Sequence, residues 1–319
     1  MSFGLTSRMA YPSRSPKCPI SWKVTIILVS VQKMQVIIWT GPTLDDLVEG
    51  VYVQVANPEI RFRPMKPDYS GMRLSTYTFA ELEDIAGRRQ TYDLDLMLPE
   101  QEISAPLPVV IFIHGGGFVP PCDRRQVYIS LISRPLTQAG FAVISPDYPL
   151  FADEEERDRY GIMRGPVPAA SAIHAVRVWL KENAEAFRLD PERVSIMGGS
   201  AGGMTAFYAI AGYDDPYRAF INLWGVPDPL PDVSRFPPTL SVHGTADPLV
   251  PFSNEAGLAE ALDAHGIEHH LIALEGDGHT PLHRREEFVP AILDLLKRVN
   301  GLVMRLETRI DGAAVLCIC

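Results

Sequence analysis

Short apolar runs separated by longer amphipathic stretches dominate the chain from about residue 90 to residue 300. Runs at 109–113, 141–145, 194–197, 220–223, 240–242 and 270–274 have the length and composition of buried strands. Between them lie helical candidates at 124–139, 168–187, 201–211, 254–265 and 285–299. Residues 51–63 and 91–98 alternate as strands do, the second ending before Pro99. Such alternation predicts an α/β fold with a mostly parallel central sheet and helices on both faces, because parallel strands need crossover connections. Ligands of open sheets of this kind bind beyond the carboxyl ends of the strands. The residues that immediately follow the apolar runs are therefore the ones to inspect for chemistry.

After the run at 194–197 comes Gly198-Gly199-Ser200-Ala201-Gly202, which fits the pattern G-x-S-x-G. In that pattern a strand turns sharply into a helix and leaves a serine at the tip. A serine hydroxyl is a poor nucleophile unless a base takes its proton. By accident the pattern arises in roughly one chain in ten of this size, so the remaining strand ends must supply the base, its orienting acid and an anion site. After 109–113 comes His114-Gly115-Gly116-Gly117-Phe118, whose glycines let backbone N–H groups crowd around a developing oxyanion. After 240–242 comes His243-Gly244-Thr245-Ala246-Asp247, a carboxylate placed to orient a histidine, although an isolated aspartate more often caps a turn. After 270–274 comes Glu275-Gly276-Asp277-Gly278-His279. Of the eight histidines, only His279 occupies the loop after the last expected strand, and the order Ser200, Asp247, His279 is that of an α/β-hydrolase triad. Phe118, Val119 and Trp224 adjoin strand ends and are candidate pocket walls, with core packing as the alternative.

These stretches, with Ser145-Pro146-Asp147-Tyr148 and Leu189-Asp190-Pro191-Glu192-Arg193, resemble the α/β-hydrolase superfamily, and in particular its HGGG esterases. That group holds hormone-sensitive-lipase-like carboxylesterases, feruloyl and acetylxylan esterase-like proteins and arylformamidases. The resemblance covers about residues 90–300. It implies Ser200 as nucleophile, His279 as base and then acid, Asp247 as its orienter, and the N–H groups of Gly116, Gly117 and Ala201 as the oxyanion hole. It implies hydrolysis of a carboxylic ester of a small or medium-sized molecule through an acyl-enzyme, with no metal or organic cofactor. An arylformamidase-like amide hydrolase, an acyl-transfer or cyclising enzyme, and a non-catalytic small-molecule binding protein are the alternatives. No long helical stretch separates 223 from Asp247, so no large lid insertion is expected.

Composition narrows the partners. A net charge of −10 over 319 residues, with no basic stripe, argues against a nucleic-acid partner. The 46% hydrophobic content is ample for one large core. Cys18, Cys122, Cys317 and Cys319 form neither a disulfide framework nor a zinc-ligand spacing, which fits a reducing, cytoplasmic setting. The first 44 residues hold no acidic side chain and read as an N-terminal extension: a strand or arm, a targeting or membrane segment, or an artefact of the assigned start. The apolar run inside it is too short to span a bilayer, so membrane association is not expected. The chain is thus divided into an extension at 1–44, a hydrolase domain at 45–300 and a tail at 301–319. The run Asp153-Glu154-Glu155-Glu156-Arg157-Asp158 reads as a solvated face. Oligomeric state is not legible.

Overall fold

The computed structural model describes residues 66–302, 306–310 and 313–317. The N-terminal extension and the strand expected at 51–63 lie outside the described residues. The chain enters through a long antiparallel hairpin, β1 (Met72–Glu83) and β2 (Arg89–Pro99). There follow β3 (Leu107–Ile113), α1 (Val127–Gln138), β4 (Ala142–Pro146), α2 (Glu154–Tyr160), α3 (Pro166–Phe187), β5 (Leu189–Gly199), α4 (Ala201–Gly212) and β6 (Phe220–Leu223). Then come β7 (Thr239–Gly244), α5 (Asn254–Ala264), β8 (His269–Leu274) and α6 (Arg285–Val299). A separate antiparallel pair, β9 (Leu306–Ile310) and β10 (Ala313–Cys317), occupies the stretch read as a tail.

The first eight strands form one sheet in the order β1-β2-β4-β3-β5-β6-β7-β8. From β4 through β8 every pairing is parallel, and β2 joins β4 antiparallel. The central strands are predominantly apolar because both faces are covered: all of β4 and β6 is buried, as are Val109 to Ile113 of β3. Helices α3 and α4 pack together on one side, and α1 contacts α6 on the other. After β3 the chain steps to β4 on one flank and then, through α3, to β5 on the opposite flank. The carboxyl ends of β3 and β5 therefore border the point where the strand order reverses, where a crevice forms.

The expected strands and helices among the described residues agree with the observed ones to within a few residues, but β1 and the pair β9 and β10 have no counterpart in the sequence pattern. The burial of β1 alternates only partially, with one face resting on α3 through Tyr77 against Trp179 and Phe187. The charged run forms α2, capped by Asp153, whose carboxylate accepts from the Glu156 N–H at 2.8 Å, and none of its residues is buried. The link from β6 to β7, residues 224–238, holds no helix and no lid insertion.

Candidate active site

The turn from β5 into α4 is built by glycine. Ser200 sits at φ 54°, ψ −121°, in the left-handed region that an L-residue occupies only at a cost, and its N–H is anchored to the Leu223 carbonyl at 2.9 Å. A Cβ on Gly198 would lie 2.1 Å from the Gly202 oxygen. One on Gly202 would lie 2.2 Å from the Ile113 oxygen and 2.4 Å from that of His114. Only hydrogen fits at these positions, so β3, β5 and α4 converge on the serine at backbone contact distance.

Three elements from distant parts of the chain meet there. His279, on the loop after β8, places Nε2 2.9 Å from Ser200 Oγ and Nδ1 2.7 Å from Asp247 Oδ2. Asp247, on the loop after β7, is wholly buried at its side chain, and its Oδ1 accepts the N–H groups of Leu249 (2.8 Å) and Val250 (3.1 Å). Burial alone would push its carboxyl upward, but hydrogen bonds from His243 and His279 and the charge of His279 outweigh that and hold it well below the usual carboxylate range. Asp247 is thus an anion at every pH of interest, fixed from both sides.

The glycine loop after β3 faces the same serine. Gly116 (φ 109°) and Gly117 (φ 60°) are both left-handed, and a Cβ on Gly116 would collide with Cys122 at 2.2 Å. Among the described residues, neither glycine donates its N–H to a backbone carbonyl. Ala201 is the first residue of α4, where helix geometry leaves the N–H groups of the first turn without intrahelical partners and the helix dipole favours an anion. The base of the loop is pinned by side chains that sequence reasoning gave no role. The Gly115 N–H is bonded to Tyr128 Oη (2.5 Å) and Gln126 Oε1 (3.1 Å), and Tyr148 Oη donates to the His114 carbonyl (2.7 Å). His114 stacks on Tyr148, with ring centroids 4.2 Å apart. Burial holds its imidazole down to about 4, so it stays neutral. No local signal in the sequence assigns these contacts to Tyr128 or Tyr148, since they arise only when α1 and the segment after β4 dock on β3.

Of the two readings open for Phe118, Val119 and Trp224, pocket wall or core packing, their burial favours the second. Phe118, Val119 and Trp224 are core side chains, at 0%, 3% and 0% exposure. Phe118 lies under Gly165 and edge-on to Tyr148, while Trp224 fits between Tyr128 and Phe288. Their backbones stand at strand ends, but Phe118 and Trp224 adopt positive φ (63° and 46°), which turns the side chains inward. Among the described residues, no group of three or more His, Cys, Asp or Glu side chains is placed to hold a metal ion, and no helix is long and apolar enough to cross a membrane.

A mostly parallel sheet with a strained serine at the reversal of strand order, a histidine and aspartate after later strands, and a glycine loop beside it is the architecture of the α/β-hydrolase fold. Residues 94–219 match the BD-FAE family model. The chain is 28% identical to Esterase B1 of Culex pipiens over 175 residues, 49% of this chain and 30% of that protein. It is 29% identical to the putative esterase NocK of Nocardia uniformis over 177 residues, 53% of this chain and 48% of that protein. The matched stretches thus span less than half the length of these curated relatives. Among solved structures, a truncated carbohydrate esterase from gut microbiota superposes with a TM-score of 0.57 at 19% identity, covering 74% of this chain and 99% of that one. A thermophilic esterase of Thermogutta terrifontis superposes at 0.58 and 18%, covering 76% and 97%. These structural likenesses carry the fold.

Proposed function

We propose that the protein is a serine hydrolase of small or medium-sized carboxylic esters. The observation that carries this reading is the continuous hydrogen-bonded line from Ser200 Oγ through His279 to Asp247, at 2.9 and 2.7 Å. Ser200 Oγ attacks the ester carbonyl while His279 Nε2 takes its proton, and Asp247 steadies the imidazolium through Nδ1–H. The carbonyl oxygen, now anionic, lies against the N–H groups of Gly116, Gly117 and Ala201, which need not reorganise to receive it. His279 returns the proton to the departing alcohol, leaving an acyl-serine. Water, deprotonated by the same Nε2, then releases the acid and restores the serine. The match to the BD-FAE model and to named esterases supports the ester as substrate. The lid-free link between β6 and β7 supports a substrate taken directly from solution, and the spacing of the cysteines supports a reducing, cytoplasmic setting.

The test is hydrolysis of p-nitrophenyl esters of increasing acyl length by the purified full chain, with fluorophosphonate labelling in parallel. Wild type should turn over the short esters and take up the label, and Ser200→Ala should lose both. Hydrolysis that survives in the alanine variant would overturn the assignment.

A further inference from the structure

Behind the triad lies a second histidine. His243 is the last residue but one of β7, and its side chain is wholly buried. Its Nδ1 is 2.8 Å from Glu255 Oε1, on α5, and its Nε2 is 2.9 Å from the Val250 carbonyl and 3.2 Å from Asp247 Oδ2. Each of these partners is an acceptor. A neutral imidazole carries one N–H and would turn a lone pair towards either the Glu255 carboxylate or the oxygens on the other side, whereas an imidazolium meets both. Glu255, only 4% exposed, also accepts from Asn222 Nδ2 at 3.4 Å, and Asn222 in turn is held by Ser241 Oγ (3.2 Å) and the Gly225 N–H (3.1 Å). A line of contacts thus runs from Ser200 through His279, Asp247 and His243 to Glu255, every member placed by a different loop, strand or helix.

We propose that His243 is a standing imidazolium that positions Asp247 and sets how readily His279 holds its proton, so that the working unit extends from Ser200 to Glu255. This rests on the assignment of Ser200, His279 and Asp247 made above. Asp247 Oδ2 is shared between His279 and His243. A positive charge on the far side of that oxygen offsets part of the pull that Asp247 exerts on a proton at His279. Without it, two buried carboxylates, Asp247 and Glu255, would act on His279 uncompensated. Burial disfavours charge on His243, yet its bonds to Asp247 and Glu255 prevail and raise it to about 9. The charged groups facing His243 are Asp247 and Glu255, and the Phe252 ring stands perpendicular to it with centroids 5.7 Å apart. Around His279 stand Asp247 and, on its own turn, Asp277, which is engaged by Arg284 (3.0 Å) and His283 (3.1 Å).

The experiment is the pH dependence of kcat/KM for p-nitrophenyl acetate in wild type and His243→Gln, with ring-nitrogen NMR of the wild-type full chain. Loss of the His243 charge should move the acid limb to higher pH by about one unit and lower kcat with little change in KM. A role confined to packing would lower Tm and leave the limb in place. In the NMR spectrum His243 should keep both ring protons at pH 7.5. A neutral tautomer at that pH, or a limb unmoved by the substitution, overturns the proposal. If His243→Gln does not fold, the NMR result decides. A wild type without esterase activity sinks the functional reading instead, and that outcome is separate from the protonation state of His243.

Discussion

At the scale of single residues the site depends on atoms that are missing as much as on those present. Gly202 is the sharpest case: the atoms its Cβ would strike, at 2.2 and 2.4 Å, are the main-chain carbonyls of Ile113, the last residue of β3, and of His114 just after it, which no rotamer change moves aside. Gly202→Ala should cost about 1–3 kcal/mol of stability and, by shifting Ala201 relative to Gly116 and Gly117, roughly 10²-fold in kcat/KM. Gly212→Ala at the far end of the same helix, with nothing within 4 Å of the new methyl, is the control. It should leave activity intact and stability equal or slightly higher. Urea denaturation and steady-state kinetics on the two variants check the contrast, and equal losses in both would refute it. Tyr148 makes a subtler contribution, since its hydroxyl holds the His114 carbonyl at the root of the glycine loop. Tyr148→Phe keeps the ring stacked on His114 but frees that carbonyl. The expected result is a kcat lower by roughly tenfold at unchanged KM, because the anion site is used only in the transition state.

At the scale of elements, legibility followed the reach of the interactions involved. Strands β3 to β8 and the helices between them are recorded locally, in apolar runs and turn residues, and were readable for that reason. That Ser200, His279 and Asp247 come together was readable because each follows such a run. Strand β1 was not, because an edge strand with one face on α3 and the other in solvent carries too weak an alternation. Nor were the inward turns of Phe118 and Trp224, which depend on a backbone reversal that residue type does not announce. His243 read as an ordinary strand-end histidine because Glu255, its partner on α5, meets it only in three dimensions. Another such long-range tie lies on β2. Asp95, with its side chain 1% exposed, accepts from Arg124 Nε (3.0 Å), Arg125 Nε (2.6 Å) and Thr76 Oγ1 (2.6 Å), fastening both strands of the hairpin to the approach of α1. Burial pushes its carboxyl up, but the bonds from Arg125, Thr76 and Arg124 prevail and lower it. Asp95→Ala would leave Arg124 partly buried without one of its two carboxylates, and should destabilise the fold by about 3 kcal/mol in urea. A loss below about 1 kcal/mol would show that Asp147, which also binds Arg124, suffices on its own.

For the whole molecule, two buried histidines with opposite environments should set the shape of stability against pH. An unfolded histidine titrates near 6.5. His114, held neutral by burial down to about 4, binds fewer protons in the folded chain than in the unfolded one between those values. Stability is therefore lost as pH falls from about 6.5 towards 4. His243, raised to about 9, behaves in the reverse sense. Its contribution is complete below about 6.5 and disappears as pH rises through about 9, because the folded chain then holds a proton that the unfolded chain has released. Each shift spans about 2.5 pH units, or roughly 3 kcal/mol if fully expressed. Asp95 and Asp84, both lowered in the folded chain, extend the acid loss below about pH 4. Tm should therefore peak near pH 6.5 and decline on both sides. In His243→Gln the alkaline decline should flatten while the acid side keeps its slope, since His114 and the aspartates are untouched. A wild-type Tm that stays level from pH 6.5 to 9 would mean that His243 carries no charge in the folded protein, and Asp247 would then face His279 without a counterweight.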